Sequence, residues 1–329
     1  MEKNFVSAKD VAKLANVSQS TVSRVFTPGA SVSEKVRRKV LEVAEELNYQ
    51  PNALARGLIN KKTNIVGLAM KDIQNPFYHE VLGMFSMKLR EQGYNVLFVY
   101  TKNEEIQQEE INHFLEYNVE GIIITDALLS SKVVSKIHDN NIPITLFNRY
   151  HKDIPCNSVS SDNVRASIEI AAYFYEQGYR DIVYITGKKN TSTNKDRQKG
   201  FTEYLKEKNI EATILEGDYT YEKSYYLTKA MIENGHVPEA VFGANDITAI
   251  GSLDALREKN ISVPDKTAVV GFDNIKMASW PSYMLSTWEQ PIEKMVDEAI
   301  YLLLHDHKVD SPKAVKLKGQ FIHRNTTKK

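Results

Sequence analysis

From residue 65 onward, short apolar runs alternate with amphipathic stretches of helical period, and this alternation constrains the fold more than any other feature. The runs are IVGLAM (65–70), NVLFVY (95–100), GIIIT (121–125), PITLF (143–147), DIVYIT (181–186), ATILE (212–216), AVFGA (240–244) and AVVGF (268–272). Several of the helical stretches between them end at glycine, as in REQGYN and YEQGYR. Strand and helix in strict alternation predict parallel sheets with helices on both faces. Two such series fit two doubly wound lobes. The likeness of REQGYNVLF to YEQGYRDIVYI indicates that the lobes share a plan. At roughly 150 residues per domain, 329 residues give about two domains, or one bilobed unit and a small module.

The first 50 residues have a different texture and read as purely helical. Ser7 can cap a helix carrying Val11, Ala12 and Leu14, with Asp10 at its third position. Asn16 sits where a tight turn needs positive φ, which Asn tolerates better than most residues. Ser18 can cap a second short helix, which Thr27-Pro28-Gly29 breaks. Ser33 starts a third, with Val36, Val40, Val43, Ala44 and Leu47 on one face. Residues 8–26 thus have the layout of a DNA-binding helix-turn-helix. Val11, Val17, Val22 and Val25 would be buried, leaving Gln19, Ser20, Thr21 and Arg24 outward near the start of the second helix. Gln pairs bidentately with adenine and Arg with guanine, so these side chains suit major-groove readout. Ser7, Thr21, Ser31 and Ser33 are candidates for phosphate contacts. The competing reading is a three-helix packing module with a polar face. Charge favours DNA: residues 1–62 hold 11 Lys+Arg against 6 Asp+Glu, and the remainder 31 against 36, although the whole chain is neutral.

Other classes are disfavoured. No apolar run approaches the ~20 residues that span a bilayer. The polar start MEKNFVSAKDVAKLA does not read as a secretory signal. A single cysteine, Cys156, excludes an internal disulfide and a cysteine-rich metal site. A cytoplasmic protein is expected. There is no Gly-x-Ser-x-Gly elbow, P-loop or His-Glu-x-x-His, and the eight histidines lack metal-ligand spacing, so neither an enzyme nor a cofactor or metal is expected. A transport-type solute-binding protein would share the bilobed body but not a basic helical head.

In open α/β sheets ligands bind beyond the carboxyl ends of the strands. Polar groups cluster at such places: Asn75 and Phe77 after the run at 65–70, Arg149 after 143–147, Arg197 near a helix start after 181–186, Asn245 after 240–244 and Asp273 after 268–272. Carboxylate, amide and guanidinium groups beside an aromatic are what vicinal hydroxyls need. Singly, each has a plainer role: Asn245, Asp273 and Asp162 as helix caps, Arg197 as a solvated charge, and Trp280 as core or as a subunit contact.

The strings DVAKLANVSQSTVSRVF and VSEKVRRKVLEVAEELNYQPNALARGL, followed in order by IVGL, NPFY, SSDN, RQKGF, GANDITAIGSLDAL, VVGFDN and WEQP, resemble the lactose/galactose repressor (LacI/GalR) family over nearly the whole chain. The resemblance implies a three-helix head (1–50), a hinge helix and linker (51–64) and a bilobed periplasmic-binding-protein-like body (65–329). Lobe 1 would comprise about 65–161 and 291–319, and lobe 2 about 162–290 and 320–329. It implies a homodimer on near-palindromic double-stranded operator DNA, with Gln19, Ser20 and Arg24 at the base-reading positions. It further implies a small effector, a sugar or sugar derivative, contacted by Arg197, Asn245 and Asp273, with Asn75, Phe77, Arg149, Asp162 and Trp280 lining the same region. A protein partner in place of the small effector is the variant reading. Asn16 departs from the glycine usual at the turn.

Residues 52–58 match the hinge helix, with Asn52, Ala55 and Leu58 as candidates for the minor groove. Seven residues are far short of the ~12–15 that stay helical alone, and Gly57 weakens them by a further ~1 kcal/mol. Such a segment orders only on DNA, where Leu58 can wedge between base steps. The plain alternative is a passive linker.

Overall fold

A computed structural model describes residues 6–27, 29–51, 62–126, 128–151, 154–306 and 311–328. The candidate hinge residues Asn52, Ala55 and Leu58 lie outside them. The chain divides into two compact units, Met1–Thr63 and Asn64–Lys329.

The first unit holds helices α1 (Ala8–Ala15), α2 (Gln19–Val25) and α3 (Glu34–Glu46). A reciprocal capping box between Ser7 and Asp10 opens α1. Asn16 ends it in the left-handed conformation at φ 51°, as the turn requires. The Ser18 side chain caps α2 by accepting from the Thr21 amide. Val11, Ala12, Ala15, Val22, Val25, Val40 and Ala44 form the buried centre, and Val36, Val43 and Leu47 pack against it. Arg37 of α3 donates to the Val25 carbonyl at 2.9 Å and the Ala30 carbonyl at 3.2 Å, tying α3 to the end of α2.

The second unit contains two six-stranded sheets. Sheet one has the order β11-β5-β4-β3-β1-β2, with β1 Ile65–Met70, β2 Asn95–Tyr100, β3 Gly121–Ile124, β4 Ile144–Phe147, β5 Asn157–Ser161 and β11 Ala314–Leu317. Sheet two has the order β12-β10-β9-β8-β6-β7, with β6 Ile182–Thr186, β7 Thr213–Glu216, β8 Ala240–Gly243, β9 Ala268–Asp273, β10 Ser286–Glu289 and β12 Gln320–Ile322. Every pairing is parallel except β10 with β12. The expected pair of doubly wound parallel sheets is therefore what the chain forms. Helices α4 (Pro76–Glu91), α5 (Gln108–Glu116) and α6 (Ser131–Asp139) connect strands of the first lobe. Helices α7 (Asn163–Glu176), α8 (Ser192–Glu207), α9 (Tyr221–Glu233) and α10 (Asp246–Glu258) serve the second. Gly93 and Gly178, both at φ 83°, follow the caps of α4 and α7 and turn the chain into what comes next.

The chain crosses between lobes three times. After β10 it returns to lobe one as α11 (Ile292–His305), whose Met295, Val296, Ala299, Ile300, Leu302 and Leu303 are buried. Leu303 lies so close to Gly121 that a Cβ there would meet it at 2.8 Å. β11 then extends sheet one, and β12 extends sheet two a few residues later. Four strands escaped the pattern of apolar runs: β5, β10, β11 and β12. β5 is polar yet wholly buried. Its Asn157 donates to the Asp306 carbonyl (2.8 Å) and accepts from the Lys313 amide (2.9 Å), so side-chain hydrogen bonds replace apolar contacts.

Candidate functional site

In the head, Gln19, Ser20 and Arg24 are all exposed on α2. Ser18 and Ser20 share a hydroxyl contact of 2.7 Å, and Ser18 and Thr21 one of 2.8 Å. The Ser7 hydroxyl donates to the Asp10 carboxylate at 2.6 Å. Ser7 is thus engaged beside an anion, and Thr21 is engaged within its helix. Ser31 and Ser33 are exposed, and Ser33 caps α3 without using its side chain.

In the body, the carboxyl ends of the strands of both sheets converge on one small cavity of about 20 Å³. The loop after β1 supplies Asp72 and Asn75, the start of α4 supplies Phe77 and Tyr78, and the loop after β4 supplies Asn148 and Arg149. From lobe two come Thr193 and Arg197 of α8, Tyr219 after β7, Asn245 after β8 and Asp273 closing β9. Of the sequence candidates, Asn75, Phe77, Arg149, Arg197, Asn245 and Asp273 are therefore brought together. Asp162 and Trp280 are not among the lining residues. Asp162 accepts from the Arg165 amide as the cap of α7, and Trp280 is 48% exposed at the end of a 3₁₀ turn. Asp162 follows its plainer reading, whereas Trp280 is not part of the core. Asp72, Tyr78, Asn148, Thr193 and Tyr219 were missed as candidates. Asp72, Asn148 and Tyr219 lie just past a strand's carboxyl end, a signal that could have found the first two, whereas Tyr78 and Thr193 lie in the helices that follow.

Arg197 is 2% exposed and held on every side. Its Nε donates to Asn163 Oδ1 at 2.8 Å and a terminal nitrogen to the Ala244 carbonyl at 2.5 Å. Its guanidinium stacks 3.5 Å over the Phe272 ring. Its remaining nitrogen stands 3.8 Å from an Asp273 oxygen. That Asp273 oxygen also accepts from Gln290 Nε2 at 2.7 Å. Asp273 adopts φ 119°, a conformation costing on the order of 1–3 kcal/mol that aims its carboxylate into the cavity mouth. Burial pushes the Asp273 carboxyl up to about 7; Arg197 and Gln290 pull it down, and Glu80 adds to the rise. Asn245 caps α10, its Oδ1 accepting from the Thr248 amide (2.9 Å) and hydroxyl (2.6 Å), so its amide NH₂ stays available. Asn148 donates to the Tyr78 hydroxyl at 3.2 Å, while its own Oδ1 and the Arg149 Nε are buried with no hydrogen-bond partner among the described residues. Donors and acceptors left over at one point are what a polyol satisfies.

The lobes are latched around this point. Glu104 of lobe one pairs with Lys188 of lobe two at 2.9 Å, and the Tyr150 hydroxyl donates to Asp196 at 2.8 Å. The Glu104 pair is half-exposed and contributes at most about 1 kcal/mol. Among the described residues no group of His, Cys, Asp and Glu is placed to hold a metal, and no helix is long and apolar enough to cross a membrane.

The family model for bacterial regulatory proteins of the lacI family matches residues 7–52, and that for a periplasmic binding protein-like domain matches residues 171–327. The ribose operon repressor of Halalkalibacterium halodurans is 32% identical over 88% of this chain and 86% of its own length. The catabolite control protein A of Priestia megaterium is 29% identical over 98% of this chain and 99% of its own. Among solved structures, the lac repressor dimer bound to operator and the anti-inducer ONPF superposes with a TM-score of 0.87 at 25% identity, covering 98% of this chain and 99% of that one.

Proposed function

Since the chain belongs to the LacI family of bacterial regulatory proteins, we propose that it is a DNA-binding repressor of carbohydrate-utilisation genes whose operator affinity is set by a small polyol bound between its lobes. Its body carries the lac-repressor-like fold, and relatives over most of its length are named repressors. The observation that carries the reading is the pairing of two sites in one chain. An exposed helix presents Gln19, Ser20 and Arg24, and a polar cavity holds Arg197, Asn245 and Asp273 at the carboxyl ends of two sheets.

The head reads bases with Gln19, Ser20 and Arg24, with Ser31 and Ser33 on phosphates. It is joined through residues 51–64 to a body of residues 65–329. The chain acts as a homodimer. Large apolar side chains exposed on both lobes, Met87 and Tyr100 on one and Tyr226 and Trp280 on the other, support self-association. A regulator of this kind works in the cytoplasm and has no catalytic task.

At about 20 Å³ the cavity has room for roughly one water, so a polyol enters only as the lobes part or the side chains turn. Effector binding is thereby linked to lobe geometry, and its influence on DNA is limited to its differential affinity for the two arrangements. The hinge segment is the element that converts this into operator affinity.

The test selects duplexes from a random pool with the purified full-length protein, then measures affinity for the winner with and without a mono- and oligosaccharide panel. A near-palindromic sequence should emerge, and at least one polyol should change its affinity at least 5-fold. Selection of no sequence would remove the reading.

A further inference from the structure

A second, much larger cavity lies beside the first in the same cleft, with a volume of about 720 Å³. That is within the range of sites that take whole small molecules. Its floor is apolar and comes from lobe one: Ile124, Leu128, Leu129 and Leu146. Its rim is cationic and comes from both lobes. Lys195 and Lys199 stand four residues apart on one face of α8. Neither has an ion pair or hydrogen bond among the described residues. Lys316 of β11 reaches in from the opposite side, 3.6 Å from Asp196 and over the Tyr150 ring at 5.4 Å.

Arg149 lines this cavity and the smaller one alike, and its Nε is buried without a hydrogen-bond partner among the described residues. The Arg, Lys, Asp and Glu groups of the lining are Arg149, Lys195, Lys199 and Lys316 against Glu105 and Asp196, an excess of two positive charges. Two like charges at i and i+4 repel, and among the described residues no ion pair of either lysine offsets this. An anion that bridges them would.

We propose that this cavity binds the phosphate of a phosphate monoester, held by Lys195, Lys199 and Lys316, with the organic part of the ester on the apolar floor and its hydroxyls turned toward Arg149 and the smaller cavity. A phosphate monoester carries close to two negative charges at pH 7, which matches the excess, whereas a carboxylate leaves one charge over. Inorganic phosphate is far too small for 720 Å³ and leaves the leucine floor uncovered. The proposal deepens the reading of the cleft as the effector site and names the class of effector, a phosphorylated polyol.

The experiment is calorimetric titration of the full-length protein and of K195Q/K199Q. Both lysines are exposed and lie outside the smaller cavity, so the fold tolerates the change. The probes are a panel of hexose and pentose monophosphates, the same sugars without phosphate, and inorganic phosphate. At least one ester should bind the unaltered protein about 10-fold more tightly than the variant. That gap should narrow as salt rises from 50 to 500 mM, because the rim is solvent-facing. The parent sugar and inorganic phosphate should not distinguish the two proteins. If no ester binds, if every ester binds both proteins alike, or if inorganic phosphate reproduces the whole difference, the proposal is overturned. The readout does not involve DNA, so failure of operator selection and failure of this site show in separate measurements.

Discussion

The buried carboxyl of Asp273 makes the stability of the body depend on pH in a way that one substitution should reveal. Its value in the folded chain is raised from 3.8 to about 7, chiefly by burial. A folded value above the unfolded one means that the folded state holds the proton more tightly. The stabilisation is fully present below pH 3.8 and is lost as pH rises through about 7. Between pH 5.5 and 8.5 the unfolded chain is already ionised at this position, while the folded chain must give up its proton. One pKa unit corresponds to about 1.36 kcal/mol, so this window of roughly 1.5 units below the folded value removes about 2 kcal/mol. Asp273→Asn keeps the shape and cannot ionise, so its stability should lack that part of the decline. Asp246, fully buried and also held above its ordinary value by burial and by the Asp273 charge, is common to both chains. Removing the Asp273 charge also lowers the Asp246 carboxyl toward its ordinary value, which moves the difference in the same direction. Urea unfolding followed by circular dichroism at half-unit pH steps is the assay. Between pH 5.5 and 8.5 the difference in stability should shift in favour of Asn by about 2 kcal/mol. Parallel pH profiles, with a constant gap, would refute the assignment of the shift to this carboxyl.

Three further outcomes are expected. Arg24→Ala should weaken the selected operator by about 1–3 kcal/mol in anisotropy titrations while leaving random duplex nearly unchanged; equal losses on both would remove base reading by Arg24. Asn16→Val should destabilise the head by about 1–2 kcal/mol, because a β-branched residue is forced to φ 51°, and hydrogen exchange across residues 8–46 measures it; unaltered exchange would mean that the turn tolerates any residue. Gly200→Ala should cost about 1–3 kcal/mol in urea unfolding, since its Cβ would stand 2.2 Å from the Val164 carbonyl oxygen where α7 and α8 cross; a loss below about 0.5 kcal/mol would show that the helices can separate there.

The eight apolar runs all became strands, within a residue or so at each end; six are interior, almost wholly buried strands, whereas β2 and β7 are partly exposed edges that their apolar runs still marked. The strands without such a signal owe their burial to other means. β5 is held by Asn157, and β10 by the contact of Ser286 with Thr327 at 2.6 Å and by the Ser286 amide donating to Thr326 at 2.9 Å. Hydropathy does not register a strand stabilised by its own side-chain hydrogen bonds. β11 and β12 are edge strands of four and three residues, half exposed, too short for their apolar residues to stand out as runs. At the site, a position next to a strand's carboxyl end was readable from the order of residues. The separation of Asp162 from the cavity residues was not, since both cap helices in the same manner as Asn75 and Asn245. Tyr219 was hidden for a different reason: it reaches the site through a positive φ of 65° in a loop whose composition says nothing of its direction.

The triple crossing between lobes has a consequence for the order in which the protein matures. Lobe one begins at residue 64 but lacks its covering helix and its last strand until residues 292–305 and 314–317 have been made. On the ribosome the amino-terminal half of the body therefore waits, its sheet open on one side, for nearly the final stretch of translation. A chain terminated before residue 292 would keep its head but leave the first lobe without that helix and strand, so truncation near the carboxyl end damages both lobes at once rather than the second alone.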